Sequence, residues 1–267
     1  MYKAAFIDMD GTMLTKSHTI SNRTKLTIKN LTSRGILIVP ISARPLHGML
    51  HIIEGIIPAE TPVVSLNGGY IYHQGKIIYE KDIPLASAKV LQSFIDNLPV
   101  SVMYYSQMKW FAQNNTDAIK KEQKITPVPI IIQPFEQTIA TWQQQKIGPN
   151  KILVAGDAAI ILAIEKLLVA ELGEHLNIYK SQPRYLEMMN LQASKKMAMQ
   201  LLMEQYGIQQ HEVVAIGDNY NDKEMIEFAG MGVAMGNAPD TIKEVANYVT
   251  DSNNNEGVAK ALEHFFG

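Results

Sequence analysis

Cysteine is absent from the 267 residues. That excludes a disulfide framework, zinc–thiolate sites and cysteine nucleophiles together. A surplus of either charge is missing too: 24 Lys+Arg stand against 26 Asp+Glu, a formal net charge of −2. A dedicated nucleic-acid binder carries a basic stripe, so no nucleic-acid partner is expected. Nowhere does an uninterrupted apolar run approach the ~18 residues of a membrane span. The short apolar start stops at Asp8, before the longer stretch and cleavage site that a secretory signal needs. The expectation is a cytoplasmic protein with no membrane partner. Neither Gly-x-Gly-x-x-Gly nor a Walker A sequence occurs, which leaves dinucleotide and P-loop readings without support.

What is present is an ordinary globular composition, 46% hydrophobic, in a chain long enough for one large or two modest domains. The first third alternates strands with helices. Ala4–Ile7 reads as a buried strand, Ser21 as the cap of a helix ending at Gly35, and Ile36–Ile41 as a second strand. Pro62–Leu66 is a third strand, Asn67-Gly68-Gly69 a turn, and the residues around Gln74-Gly75 a hairpin. From about Pro84 to Arg184 the pattern changes to hairpins mixed with helices, which suggests an α+β insert. The strand–helix alternation returns from Ser194 onward. The expected fold class is therefore α/β, a Rossmann-like parallel-sheet core interrupted by an α+β domain. The core is expected over 1–83 and 186–267 and the insert over 84–185.

Polar groups gather where three of these strands end: at Asp8-Met9-Asp10-Gly11-Thr12, at Ser42 and at Gly217-Asp218-Asn219-Tyr220-Asn221-Asp222. Open parallel sheets bind ligands just beyond the carboxyl ends of their strands. Carboxylates collected there repel one another unless a cation neutralises them. Oxygen donors without cysteine suit a hard ion, most simply Mg²⁺, and a hard ion suits a phosphate. Of Asp8 and Asp10, one could attack as a nucleophile while the other handles the proton of the leaving oxygen. Taken singly, each cluster also fits a bland reading: Asp8–Gly11 as an acidic turn closing a strand, and Asp218–Asp222 as a helix cap.

Taken together and in order, Asp8–Thr12, Ser42, Lys195 and Gly217–Asp222 resemble the four motifs of the haloacid dehalogenase (HAD) superfamily. Asn67-Gly68-Gly69, Tyr185-Leu186-Glu187-Met188, Ser194-Lys195, Met235-Gly236-Asn237-Ala238 and Glu256-Gly257-Val258-Ala259 are similar to its Cof-type branch with a type IIB cap. The resemblance implies a hydrolase with Asp8 as the nucleophile that forms an aspartyl-phosphate. Asp10 is then the acid/base and Lys195, preferred over the adjacent Lys196, the catalytic ammonium. Mg²⁺ would be held by Asp8, the Asp10 carbonyl and Asp218, with Asp222 supporting them. Ser42, Ala43, Arg44, Asn67, Gly68 and Asn221 would bind phosphate and substrate. An acid at Asp10 implies a leaving oxygen that needs a proton, hence phosphoester hydrolysis and not dehalogenation. The implied partner is a small phosphorylated metabolite such as a sugar phosphate, nucleotide or cofactor phosphate. A sugar phosphomutase and a metabolite-binding module without turnover are the alternatives.

Other features carry bland readings. Asp157, after Leu153–Gly156, imitates the later Gly217-Asp218 pair but reads as a helix cap. His47 and His51 lack a third ligand and read as surface residues. Tyr104, Trp110, Arg184 and Tyr185 are open between substrate contact and the insert's own core.

Overall fold

The computed structural model describes residues 1–125 and 128–267. The chain forms two compact units, Met1–Ile78 with Ser194–Gly267, and Tyr79–Ala193. In chain order, the first stretch carries β1 (Ala4–Asp8), α1 (Asn22–Ser33), β2 (Leu37–Ile41), α2 (His47–Ile53), β3 (Val63–Ser65), β4 (Tyr70–His73) and β5 (Lys76–Glu80). The insert carries α3 (Leu85–Ile95), β6 (Ser101–Ser106), β7 (Lys109–Ala112), α4 (Asp117–Ile125), β8 (Ile130–Ile132) and α5 (Phe135–Gln145). It continues with β9 (Lys151–Ala155), α6 (Ala158–Leu172), β10 (Leu176–Gln182) and β11 (Tyr185–Asn190). The last stretch adds α7 (Lys195–Tyr206), β12 (Val213–Gly217), α8 (Lys223–Phe228), β13 (Met231–Ala234), α9 (Asp240–Lys243), β14 (Tyr248–Val249) and α10 (Gly257–Phe266).

The larger sheet runs β14-β13-β12-β1-β2-β3-β4-β5, and its strands from β14 to β3 all pair in parallel. Its central strand reads Ala-Ala-Phe-Ile-Asp and is buried throughout, as a strand covered on both faces must be. From β1 the chain winds one way into β2 and β3, and later the other way through β12 into β13. The register sets Ala4 opposite both Val213 and Leu37, so β1, β2 and β12 end side by side. That reversal of strand order is where open α/β sheets bind their ligands. Ser21 caps α1 by accepting from the Thr24 amide, as expected from the sequence. Pro45 suits the first residue of a helix running through Ile53, but it lies two residues before α2.

The insert's sheet runs β10-β11-β9-β6-β7-β8 and is antiparallel except between β7 and β8. On one face, Tyr104, Ile152, Val154, Leu186 and Met188 join a core with Leu91, Trp142, Ile161 and Leu168 from the helices. The units divide at 78/79 and 193/194, where the sequence reading places the changes at 83/84 and 185/186. The physical reason is pairing. β11 lies between β9 and β10 in the insert's sheet, which carries residues 186–190 into that unit. Residues 80–83 are likewise bonded to it: the Ile83 amide donates to the Pro149 carbonyl at 2.7 Å. Buried Asn150 donates to Asp82 Oδ1 at 2.7 Å, and the Gly148 amide to Asp82 Oδ2 at 2.8 Å. The expected α/β class, a parallel-sheet core interrupted by an α+β insert, is otherwise the one observed.

Candidate active site

β1 delivers Asp8, 5% exposed, to the end of the central strand. The chain then turns at Gly11, whose φ is +84°. A Cβ at Gly11 would lie 2.3 Å from Asp218 Oδ2, so the absence of a side chain lets the β1 turn and the β12 end approach each other. From β12, Asp218 is held at both carboxylate oxygens. Thr12 Oγ1 donates to Oδ1 at 2.8 Å and Asn237 Nδ2 to Oδ2 at 3.2 Å. Asn237 Nδ2 also donates to the Gly11 carbonyl at 2.9 Å. Thr12 and Asn237 thus fasten the two strand ends together. Both stand inside segments singled out from the sequence, and neither receives a role there, because the bonds they make span 206 and 226 residues.

Asp222 is completely buried. Its Oδ2 accepts from the Asp218 and Asn219 amides at 2.9 Å each, and its Oδ1 from Lys195 Nζ at 2.5 Å. The bland reading as a cap is therefore realised as well: the carboxylate satisfies the orphan amides of a helical turn. The second bond of Lys195 Nζ goes to Asp8 Oδ1, also at 2.5 Å. One ammonium, 1% exposed, thus sits between two buried carboxylates. Lys195 reaches them because the turn after β3 supports the start of α7. A Cβ on Gly68 would lie 2.3 Å from the Ser194 carbonyl oxygen. Ser194 caps the helix by accepting from the Met197 amide. Lys196 takes a different course, over the Phe228 ring.

Ligand atoms of Asp8, Asp218 and Asp222 all lie within 4.8 Å of one another. Burial, together with the charges of Asp222 and Asp218, pushes the Asp8 carboxyl well above the usual carboxylate range against the pull of Lys195. Burial and Asp222 raise Asp218 to about 6. Burial alone would lower the Lys195 ammonium, but Asp222 and Asp8 outweigh it and hold it above the ordinary lysine range. Three clustered carboxylates against one ammonium leave the site short of positive charge. The donors are all oxygen, which fits a hard divalent cation. Asp222 is completely buried, with its oxygens on two amides and the Lys195 ammonium, whereas Asp218 is partly exposed, so Asp222 suits support of such an ion better than direct ligation.

The remaining expected residues fall around this group. Ser42 is buried, and its Oγ accepts from the Arg44 amide at 3.1 Å, which leaves the hydroxyl proton to donate. Ala43 lies between them. Asn221 Nδ2 donates to Asn67 Oδ1 at 2.9 Å, and the Asn67 amide donates to the Ser42 carbonyl at 2.8 Å. Asp10 is partly exposed, and both its oxygens are taken by the Arg44 guanidinium.

The features read as bland are equally well placed. Asp157 Oδ1 accepts from the Ala159 amide and caps α6. His47 and His51 are exposed on α2, and His51 Nδ1 meets the His47 carbonyl oxygen. Tyr104 and Trp110 are buried: Tyr104 lies in the insert's core with its hydroxyl on Gln92, and Trp110 stacks on Tyr105.

Residues 5–262 match the family model of haloacid dehalogenase-like hydrolases. A Haemophilus influenzae protein provisionally named a phosphatase is 39% identical over 100% of this chain and 99% of its own. The 5-amino-6-(5-phospho-D-ribitylamino)uracil phosphatase YcsE of Bacillus subtilis is 29% identical, over 98% of this chain and 95% of its own. Among solved structures, a haloacid dehalogenase-like hydrolase from Bacteroides thetaiotaomicron superposes with a TM-score of 0.90 at 32% identity, covering 100% of both chains. With the motifs gathered at one sheet end and the family model spanning nearly every residue, the chain belongs to the haloacid dehalogenase-like hydrolases.

Proposed function

We propose that this protein is a Mg²⁺-dependent phosphatase of small phosphorylated metabolites that works through an aspartyl-phosphate on Asp8, with the insert as a type IIB cap. The observation that carries the reading is Asp8 itself. It is a buried carboxylate at the end of the central strand, bonded to Lys195 and clustered with Asp218 and Asp222. The hydrolase family and the names of its phosphatase relatives support the same reading.

In the reaction, an Asp8 oxygen attacks phosphorus and the bond to the leaving oxygen breaks. Asp10 gives that oxygen its proton. Water then attacks the acyl phosphate, returns a proton to Asp10 and releases inorganic phosphate with Asp8 restored. Attack of one anion on another requires cancelled charge where the phosphoryl oxygens gather. Lys195 supplies part of it and the Ser42 hydroxyl donates beside it, with Asn221 and Asn67 near. Mg²⁺, held by Asp8, the Asp10 carbonyl and Asp218 with Asp222 in support, would supply the rest as a Lewis acid. Substrate choice falls among sugar phosphates, nucleotides and cofactor phosphates.

Phosphate release from para-nitrophenyl phosphate and a metabolite panel, in Mg²⁺ or in EDTA, tests this. The expected result is metal-dependent, multiple-turnover release with water as the acceptor. No release by folded, Mg²⁺-loaded protein would overturn hydrolysis and favour the mutase or the binding module.

A further inference from the structure

We infer that Arg44 serves this reaction as a positioning residue for Asp10, not as a ligand of the substrate's phosphate; the inference rests on the phosphatase reading above. Arg44 Nε donates to Asp10 Oδ2 and Nη2 to Asp10 Oδ1, both at 2.6 Å. This is the two-pronged fork in which guanidinium and carboxylate fix each other's plane as well as distance. The two partners differ in freedom. The Arg44 side chain is 8% exposed, whereas that of Asp10 is 45% exposed. Arg44 is pinned at its backbone as well: its amide donates to Ser42 Oγ at 3.1 Å and its carbonyl accepts from the Leu66 amide at 3.0 Å. The buried, anchored arginine is the fixed member, and the half-exposed aspartate just before the Gly11 turn is the member held.

The consequence is chemical. A half-exposed carboxylate on a turn would otherwise sample several rotamers, and proton transfer to a leaving oxygen requires one geometry. Nε and Nη2 are both bonded to Asp10 and Nη1 faces the Gly48 carbonyl at 3.5 Å, so a phosphate ligand on the Nε–Nη2 edge would have to displace two charge-assisted bonds. The proton passes from the Asp10 carboxyl to the departing oxygen as the bond from Asp8 to phosphorus forms and the bond to the leaving oxygen breaks. A guanidinium bonded to both Asp10 oxygens keeps one of those bonds when the other oxygen carries the proton, so its hold persists through the step.

The test compares wild type, R44K, D10N and the double variant on two substrates. Para-nitrophenyl phosphate has a leaving group that departs without a proton, and glycerol phosphate has an alkoxide that needs one. The expected result for R44K is a kcat/KM lowered roughly tenfold or more on glycerol phosphate but little changed on para-nitrophenyl phosphate. D10N should likewise show its larger kcat/KM loss on glycerol phosphate, with kcat lowered on both substrates because Asp10 also takes the proton of the attacking water. R44K should add no further loss in the D10N background. Competitive inhibition by inorganic phosphate should be unchanged in R44K. Equal kcat/KM losses on both substrates in R44K, or losses additive with D10N, would overturn the inference. A parallel rise in KM and in the phosphate inhibition constant would do so too, placing the guanidinium on the substrate. R44Q provides the same comparison should R44K melt below wild type. Absence of any wild-type turnover would strike the phosphatase reading, a result distinct from all of these.

Discussion

Lys195 is the residue on which the site's electrostatics turn. Its ammonium is buried between Asp8 and Asp222, and breaking a buried ion pair by removing one member leaves an uncompensated charge behind. K195A is therefore expected to lose turnover and, measured by denaturation in EDTA, about 3–5 kcal/mol of stability. The pH dependence has a definite sign. Asp8 is an acid whose carboxyl is raised in the folded state, chiefly by burial, so its ionised form is penalised in the fold and the penalty grows as pH rises. Without Lys195 that penalty is larger, and the deficit of K195A against wild type should be greater at pH 8 than at pH 5. A deficit independent of pH would mean that the ammonium does not act on the ionisation of Asp8. Lys195 also marks how far residues are legible in sequence. Its position after Ser194 singles it out from Lys196, but the bonds to Asp8 and Asp222 span 187 and 27 residues. No local pattern contains them.

At the level of elements, the turn after β3 does more than reverse the chain. Leu66, Asn67 and Gly68 follow one another at φ of +49°, +53° and +94°, a conformation that L residues other than asparagine and aspartate rarely adopt. The turn presents Asn67 to Asn221 and lays Gly68 against the Ser194 carbonyl, where α7 begins. G68A places a methyl 2.3 Å from that oxygen at a backbone angle that alone costs about 1–2 kcal/mol. Chemical denaturation is expected to show a loss of at least that size. Turnover should fall with it, because displacement of the Ser194 carbonyl moves the residue next to Lys195; full wild-type turnover in a destabilised G68A would separate the turn from the site. Asn67-Gly68-Gly69 is readable as a turn because asparagine and glycine tolerate such angles. Its second task is not readable, since packing against α7 appears only when the two ends of the core come together. Element boundaries show the same limit. Pro45 is compatible with a first helical position, yet α2 begins only at His47.

Across the whole molecule, the sequence reveals the parallel core because buried strands such as Ala4–Asp8 and Val213–Gly217 are continuous apolar runs ending in polar groups. The edges of the insert are harder to place. Tyr185–Met188 carries a pattern that suits either unit, and pairing with β9 and β10 decides it. No helix among the described residues is long and apolar enough to cross a membrane. The three strand-end clusters 8–12, 42–44 and 217–222 are brought to one end of the larger sheet by topology alone, which is why ordered motifs far apart in the chain form a single site. The central claim is that phosphoryl transfer passes through Asp8. The most direct measurement is to mix enzyme with labelled phosphoester and Mg²⁺, quench in acid within the first turnovers, and map the modified peptide. An acid-stable, base-labile phosphoryl group is expected on the peptide containing Asp8, and it is absent in D8N. Phosphate release at the wild-type rate by D8N, or label carried elsewhere, would contradict it.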